Sequence, residues 1–302
     1  MTSPQSRSQR LVSDLLLLLA AIVWGGGFVA QRQASANLGF FSFNAVRFLL
    51  AGLVMLPFIL PRIKKGSRAY LWILPAGTCL FGGSALQQAG IETTTAGSAG
   101  FITSVYVVLV PLLLAIFWKE RTRPIIWLAA VAAIGGAYLL STGGQRITPS
   151  QGDLIVLAGS FIWALHVIVV GIAVRHMDVF VFSVGQFLFC GVLHLLASLF
   201  TTPPSLTAIL PVLPSVLYAA LASSVIGFTL QAVGQKHAPA ADASLILSLE
   251  AVFAALFGLL FLRETMNPLQ VLGCIIIMVA ISGAQLLSIR SQNATGTSTQ
   301  SG

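Results

Sequence analysis

Apolar runs of membrane-crossing length alternate with short polar breaks along the whole chain. A helix needs about 20 mainly apolar residues to cross a bilayer. Ten stretches meet that length: 12–31, 42–61, 70–89, 96–117, 124–141, 153–174, 179–200, 212–234, 240–262 and 268–288. Pro61, Pro124, Pro211 and Pro268 fall at their ends, where a fixed φ and a missing N–H disturb a helix least. The breaks are too short to hold a soluble domain. The opening run, Leu11 to Ala30, follows Arg7 and Arg10 and precedes Ala34-Ser35-Ala36, a small-residue pattern like a signal-peptide cleavage site. It exceeds the roughly 7–15 apolar residues of a signal peptide, so it reads as the first span. The polar segment Ser291 to Gly302 has no apolar face, which predicts a disordered tail.

The pattern is also written twice. Trp24 and Trp163 are 139 residues apart, and at the same offset Phe41 to Leu49 falls on Phe180 to Leu188 and Gly52 on Gly191. At an offset of 144, Leu86-Gln87 falls on Leu230-Gln231, Gly90 on Gly234, Glu120 on Glu264 and Pro124 on Pro268. The expected organisation is an N-terminal tail at 1–11, a first five-helix repeat at 12–141, a linker at 142–152, a second five-helix repeat at 153–288 and a C-terminal tail at 289–302. An odd number of spans per repeat turns the second repeat over. The predicted fold is an all-α integral membrane protein of ten transmembrane helices in two inverted repeats, an arrangement with the substrate site between the repeats.

Composition fixes the solvent and charge fixes the orientation. The chain is 57% hydrophobic and 8% charged, with mean hydropathy +0.94, against roughly 25% charged residues in a soluble domain. With both termini cytoplasmic, the inside segments carry twelve Lys and Arg residues, and the outside loops carry Arg32, Arg146 and Arg263. That bias obeys the positive-inside rule, so the net charge of +8 speaks for a multi-pass protein of the cell membrane and not for nucleic-acid binding. Cys79, Cys190 and Cys274 lie in apolar runs at spacings that fit no zinc pattern, and read as buried thiols.

One segment carries a family resemblance. Leu249-Glu250 through Arg263-Glu264, followed by Gln270 and Leu272-Gly273, resembles the second EamA-like repeat of the drug/metabolite transporter superfamily. Val110-Pro111 through Lys119-Glu120 matches it in the first half, and Trp24-Gly25 resembles the opening of the first repeat. The resemblance covers about residues 14–288. It implies a ten-span carrier of small metabolites or drugs, often an exporter, and leaves the cargo open.

Polar groups inside spans hold whatever chemistry exists, because a charge at the bilayer centre costs at least about 2.5 kcal/mol. Glu250 lies near the middle of span nine. It reads either as a carboxylate that binds and releases a proton or as one that locks the bundle. Its repeat partner is Tyr106. Arg47 lies about two turns into span two, with Gln186 as its partner. It reads as a ligand for a substrate carboxylate, as a snorkelling side chain, or as the ion-pair partner of Glu250. Gln87 and Gln231 are related amides, and Trp24 and Trp163 are related aromatics. Each pair lines a binding cavity or serves helix packing. His166, one turn from Trp163, is the better proton candidate of the two isolated histidines; His194 reads as a packed neutral ring. Gly25-Gly26-Gly27 allows either unwinding of span one or close helix packing, and its lack of a counterpart in the second repeat favours packing.

These readings select a secondary transporter, an exporter of small metabolites such as amino acids or drugs, working by alternating access. Its expected partners are a small-molecule substrate, the bilayer and, for coupling, protons. No cofactor or metal is expected, and the lack of a P-loop argues against ATP as the driver within this chain. Facilitated diffusion stays open. A lipid flippase of the same fold is the alternative. An integral membrane enzyme is disfavoured, because the chain has no clustered His and Asp residues and no large polar catalytic loop.

Overall fold

The computed structural model describes residues 7–64, 67–146, 150–263 and 265–298. Among them are ten helices long and apolar enough to cross a membrane: α1 (Ser8–Ala34), α2 (Phe40–Arg62), α3 (Arg68–Ile91), α4 (Ala96–Phe117), α5 (Pro124–Thr142), α6 (Gln151–Ala173), α7 (Val179–Leu199), α8 (Leu206–Gln235), α9 (Ala240–Phe261) and α10 (Pro268–Leu287). Their ends follow the punctuation of the sequence. Pro124 and Pro268 open α5 and α10. Ser150 and Asp153 form a reciprocal cap on α6, and Asp178 caps α7 by accepting from the amides of Phe180 and Val181. Gly143, at φ +60°, stops α5 in the left-handed conformation that glycine adopts without a Cβ penalty.

Two expectations need correction. Span eight begins at Leu206 and not near 212, because Pro211 and Pro214 occupy the first turns of short consecutive helical pieces, where a proline has no hydrogen bond to break. The polar tail is helical as far as Ser298. No proline or glycine interrupts it before Gly296, so the backbone of α10 simply continues. Residues 299–302 lie outside the described residues.

The helices pack in pairs: α2 with α7, α5 with α10, α3 with α6, and α1 with both α8 and α9. Small residues allow the closest approaches. A Cβ on Gly25 would strike the backbone of Phe253 and Ala254 on α9, and Gly136 and Gly273 bring the backbones of α5 and α10 into contact. The glycines of α1 therefore serve packing, and that helix is continuous.

The interruptions lie elsewhere. α4 divides into Ala96–Thr103 and Tyr106–Phe117, and α9 into Ala240–Leu247 and Glu250–Phe261. At each break a serine, Ser104 or Ser248, turns its hydroxyl back onto the carbonyl three residues earlier. The two breaks are 144 residues apart, the same offset as the sequence repeat. A third irregularity lies in α8, where Tyr218–Phe228 adopts a π-helix. There the Ser224 hydroxyl donates to the carbonyl of Ala219 at 2.9 Å.

One end of the bundle is tied by a buried charge cluster. Asp242, at the start of α9, accepts from Arg123 through both oxygens, at 3.0 and 2.9 Å. Its Oδ2 also lies 2.8 Å from Arg10. Arg10 in turn reaches Asp14 at 3.1 Å and Gln285 Oε1 at 2.9 Å. The Asp242 carboxylate, on a residue 2% exposed, thus joins α9 to α1 and to the loop before α5, and Arg10 extends the cluster to α10.

Candidate functional site

The polar groups singled out inside the spans converge on one central cavity. Arg47, Trp24, Trp163, Gln87, Gln231, Tyr106, His166 and Glu250 all line it. Gln186 stands one shell behind, with its Oε1 3.0 Å from His166 Nε2. The cavity is narrow, with a free volume of about 30 Å³, roughly the share of one water molecule. A metabolite enters only if the surrounding helices move apart.

Arg47 reaches the cavity from α2 and is 4% exposed, so it does not snorkel. Its Nε donates to Ser224 Oγ at 2.8 Å and its Nη2 to Ser223 Oγ at 2.9 Å. The guanidinium carbon sits 4.7 Å from the Phe48 ring centroid and 6.0 Å from that of Phe228. Among the described residues no carboxylate lies within ion-pair distance of it, and the expected alternative of a pair with Glu250 is not formed. Two neutral hydroxyls and two ring faces solvate the charge without neutralising it.

Glu250 opens the second half of α9, and Tyr106 opens the second half of α4. The two residues, 144 apart in the sequence, therefore enter the cavity from similar helix breaks. They stand side by side, yet Glu250 Oε1 and the Tyr106 hydroxyl lack a well-formed hydrogen bond to any described residue. Glu250 lies at a helix N-terminus, where the dipole favours a carboxylate.

An aromatic wall completes the chamber. Phe228, at the end of the π-helix, lies 4.8 Å from Trp24 and 6.0 Å from Trp163, and His166 meets it edge-on at 5.8 Å. Trp24 Nε1 donates to the carbonyl of Ser223 at 3.0 Å, so the widened turn of α8 is held by both Trp24 and Arg47. The amides differ between the repeats. Gln87 Nε2 donates to Gln31 Oε1 at 3.1 Å, and Gln31 Nε2 donates to the carbonyl of Gly27 at 3.2 Å. Gln231, 1% exposed, has no partner for either amide atom. Trp163 Nε1, His166 Nδ1 and Thr103 Oγ1 are likewise buried without partners among the described residues. Unpaired polar groups are rare in native interiors, and here they share one chamber.

The second isolated histidine lies apart. His194 Nε2 is 2.9 Å from Ser84 Oγ, and its ring packs among Phe41, Phe48 and Phe81. Among the described residues there is no group of three or more His, Cys, Asp or Glu that could hold a metal ion, and the three cysteines are free.

Sequence reasoning missed Gln31, Ser223 and Phe228 in the chamber and Asp242 at the end of the bundle. Gln31 falls at the end of a span, and Ser223 is too small to stand out. Phe228 is one of many apolar residues in its run, and nothing in the pattern marks it. Asp242 sits where a loop acid is ordinary.

Comparison with known proteins agrees with this architecture. The model of the EamA-like transporter family matches residues 11–142 and 150–284. An uncharacterized transporter of Archaeoglobus fulgidus is 31% identical over 278 residues, covering 90% of this chain and 85% of the relative. The threonine/homoserine exporter RhtA of Escherichia coli is 25% identical over 281 residues, covering 90% of each. A crystal structure with 20% sequence identity superposes at a TM-score of 0.76, covering 94% of this chain and 99% of the other, which establishes the likeness of fold.

Proposed function

The chain belongs to the EamA-like transporter family, and from that membership we propose that it is a secondary carrier exporting a small carboxylate-bearing metabolite, an amino acid, by alternating access. It is a multi-pass membrane protein and a membrane transporter. The cargo, the direction and the driving force are the proposal.

The observation that carries the reading is a guanidinium and a carboxyl group that line one chamber without pairing with each other. Among the described residues Arg47 is hydrogen-bonded to two serine hydroxyls and lies over ring faces, with no carboxylate in ion-pair reach, and Glu250 keeps an oxygen without a partner. An α-amino acid satisfies both. Its carboxylate takes the guanidinium fork in place of Ser223 and Ser224. Its ammonium faces Glu250 and the tryptophan rings. The exporter named among the relatives handles threonine and homoserine, which agrees with such a cargo.

The packing supports alternating access. α2 on α7 and α5 on α10 are the contacts that an inverted repeat maps onto themselves, and α3 on α6 maps onto α8 on α1. Places related by the sequence offset are tied differently. At the offset of 144 the pair Asp242 and Gln285 corresponds to Ser98 and Ser141, whose hydroxyls are 3.4 Å apart. Charges thus tie the end held by Asp242, and one weak contact holds the equivalent place at the other. In the proposed cycle Glu250 carries the coupling proton, and uncoupled diffusion is the competing outcome.

A lipid flippase remains as a second reading, because a lateral groove of about 380 Å³ opens between α1, α8 and α9 beside Tyr218 and Phe257. The test reconstitutes the protein in liposomes and follows labelled amino acids and labelled lipids, with and without a pH gradient. Amino-acid flux that follows the gradient in the wild type and ignores it in Glu250→Gln supports proton coupling. Flux indifferent to the gradient in both makes Glu250 structural. Lipid movement without amino-acid movement rejects the carrier.

A further inference from the structure

A second recess, far larger than the central chamber, lies where the loops after α2, α6 and α8 meet. Its volume is about 580 Å³, and Arg62, Lys64, Arg175 and Lys236 line it with a single carboxylate, Asp178. That carboxylate is weakly committed: it caps α7 and lies 3.6 Å from Arg62 in a half-exposed ion pair. Among the described residues the side chains of Lys64, Arg175 and Lys236 have no hydrogen-bond or ion-pair partner. Three separate loops therefore deliver cations to one concavity without supplying the anions to balance them.

The positive-inside bias explains why these loops are basic. It does not explain why four cations from three loops gather in one recess. Arg123, in the loop before α5, is treated differently by the fold, because it is consumed by Asp242. Exposed apolar side chains lie close in sequence to the lining residues Arg62 and Tyr70. Leu60 is 59% and Leu71 63% exposed, and the Arg62 guanidinium lies over the Phe180 ring at 4.7 Å. Cations beside exposed aliphatic and aromatic groups suit a ligand with a phosphate at one end and hydrocarbon at the other.

We propose that this recess is a binding site for the phosphate of an anionic phospholipid headgroup, held by Lys64, Arg175 and Lys236 with its acyl chains alongside Leu60 and Leu71. The site joins the end of α2 and the start of α3 to α6, α7 and α8. Its occupant therefore ties the first half of the chain to the second, and it stabilises the arrangement seen here. This inference does not depend on what the central chamber carries.

The test compares the full-length wild type with Arg175→Gln/Lys236→Gln, and with Lys119→Gln/Arg121→Gln as a control of equal charge change outside the recess. Each is purified, and the binding of short-chain phosphatidylglycerol, phosphatidylcholine and inorganic phosphate is measured by native mass spectrometry. The proposal expects wild type and control to bind phosphatidylglycerol alike, and the recess variant to bind it about thirty-fold more weakly, the effect of two surface cations. Competition by inorganic phosphate would mark the phosphate group itself as what is read, and lack of competition would mark the whole lipid. Equal loss in recess variant and control overturns the site in favour of general basicity. Equal binding by all three proteins, or no preference over phosphatidylcholine, also overturns it. Elution of the variants as the wild type on size exclusion separates these outcomes from misfolding.

Discussion

Arg47 is held by two serine hydroxyls and no acid, so its substitutions separate charge from geometry. Arg47→Lys keeps the cation and loses the planar fork. The expected result is folded protein whose apparent KM for the cargo rises about tenfold or more, since each charge-assisted hydrogen bond contributes roughly 1.5–3 kcal/mol. An unchanged KM in proteoliposome flux would remove Arg47 from the site. Gln231 gives the converse test, because neither of its amide atoms has a partner. A structural amide that ties helices together loses stability when replaced. An amide waiting for a ligand does not, because an unpaired buried polar group costs about 1–3 kcal/mol. Gln231→Leu is therefore expected to match or exceed the wild-type unfolding midpoint while losing flux. A lowered midpoint with normal flux would make Gln231 helix glue. At this scale the sequence was readable where a residue was improbable in its surroundings. Arg47, Glu250 and the two tryptophans stand out in apolar runs, and all four reach the chamber. Phe228 is as central as any of them, yet a phenylalanine among phenylalanines carries no signal.

The helices themselves show which small residues matter. Gly25 lies against the backbone of α9, whereas a Cβ on Gly283 would meet nothing within 4 Å. Gly25→Ala is expected to force α1 from α9 and to cut the yield of folded protein. Gly283→Ala is expected to be neutral or stabilising by about 0.5–1 kcal/mol, through helix propensity alone. Thermal unfolding of the two variants checks the contrast, and equal effects would contradict the packing. The π-helix of α8 makes a sharper demand. Deleting Ile226 would restore an α-helical register and turn Phe228 and Gln231 by about 100°. Flux should vanish with helical content intact. Span existence and most ends were legible because hydropathy and proline report them directly, but Pro211 and Pro214 lie inside span eight and hid its start. The breaks in α4 and α9 and the π-helix were not, since Ser104, Ser248 and Ser223 are ordinary residues of apolar helices. Their irregular backbone is imposed by neighbours across the bundle.

The chamber at the centre of the molecule leaves only about 30 Å³ free, so a cargo larger than water requires the surrounding helices to separate. The cluster of Arg10, Asp242 and Arg123 is the strongest tie against separation at its end of the bundle. Asp242→Asn keeps the volume and leaves two arginines facing each other, and losing one partner of a buried pair costs about 3–5 kcal/mol. The unfolding midpoint should fall, and a cysteine placed at the buried Ser244 should become reactive to water-soluble reagents. Unchanged protection there would mean that the cluster does not hold this end shut. The sequence offers recurring residues at fixed offsets, from which two halves are read. The cluster was not, because Arg10, Arg123 and Asp242 come from three distant parts of the chain and each resembles a loop charge by itself.

The most direct measurement is equilibrium binding of a labelled amino-acid panel to the purified protein, wild type against Arg47→Gln. The central chamber as the cargo site predicts saturable binding of at least one amino acid, weakened at least about tenfold in the variant while its unfolding midpoint stays near that of the wild type. Undiminished binding by folded Arg47→Gln would contradict the account and move the cargo site out of the chamber.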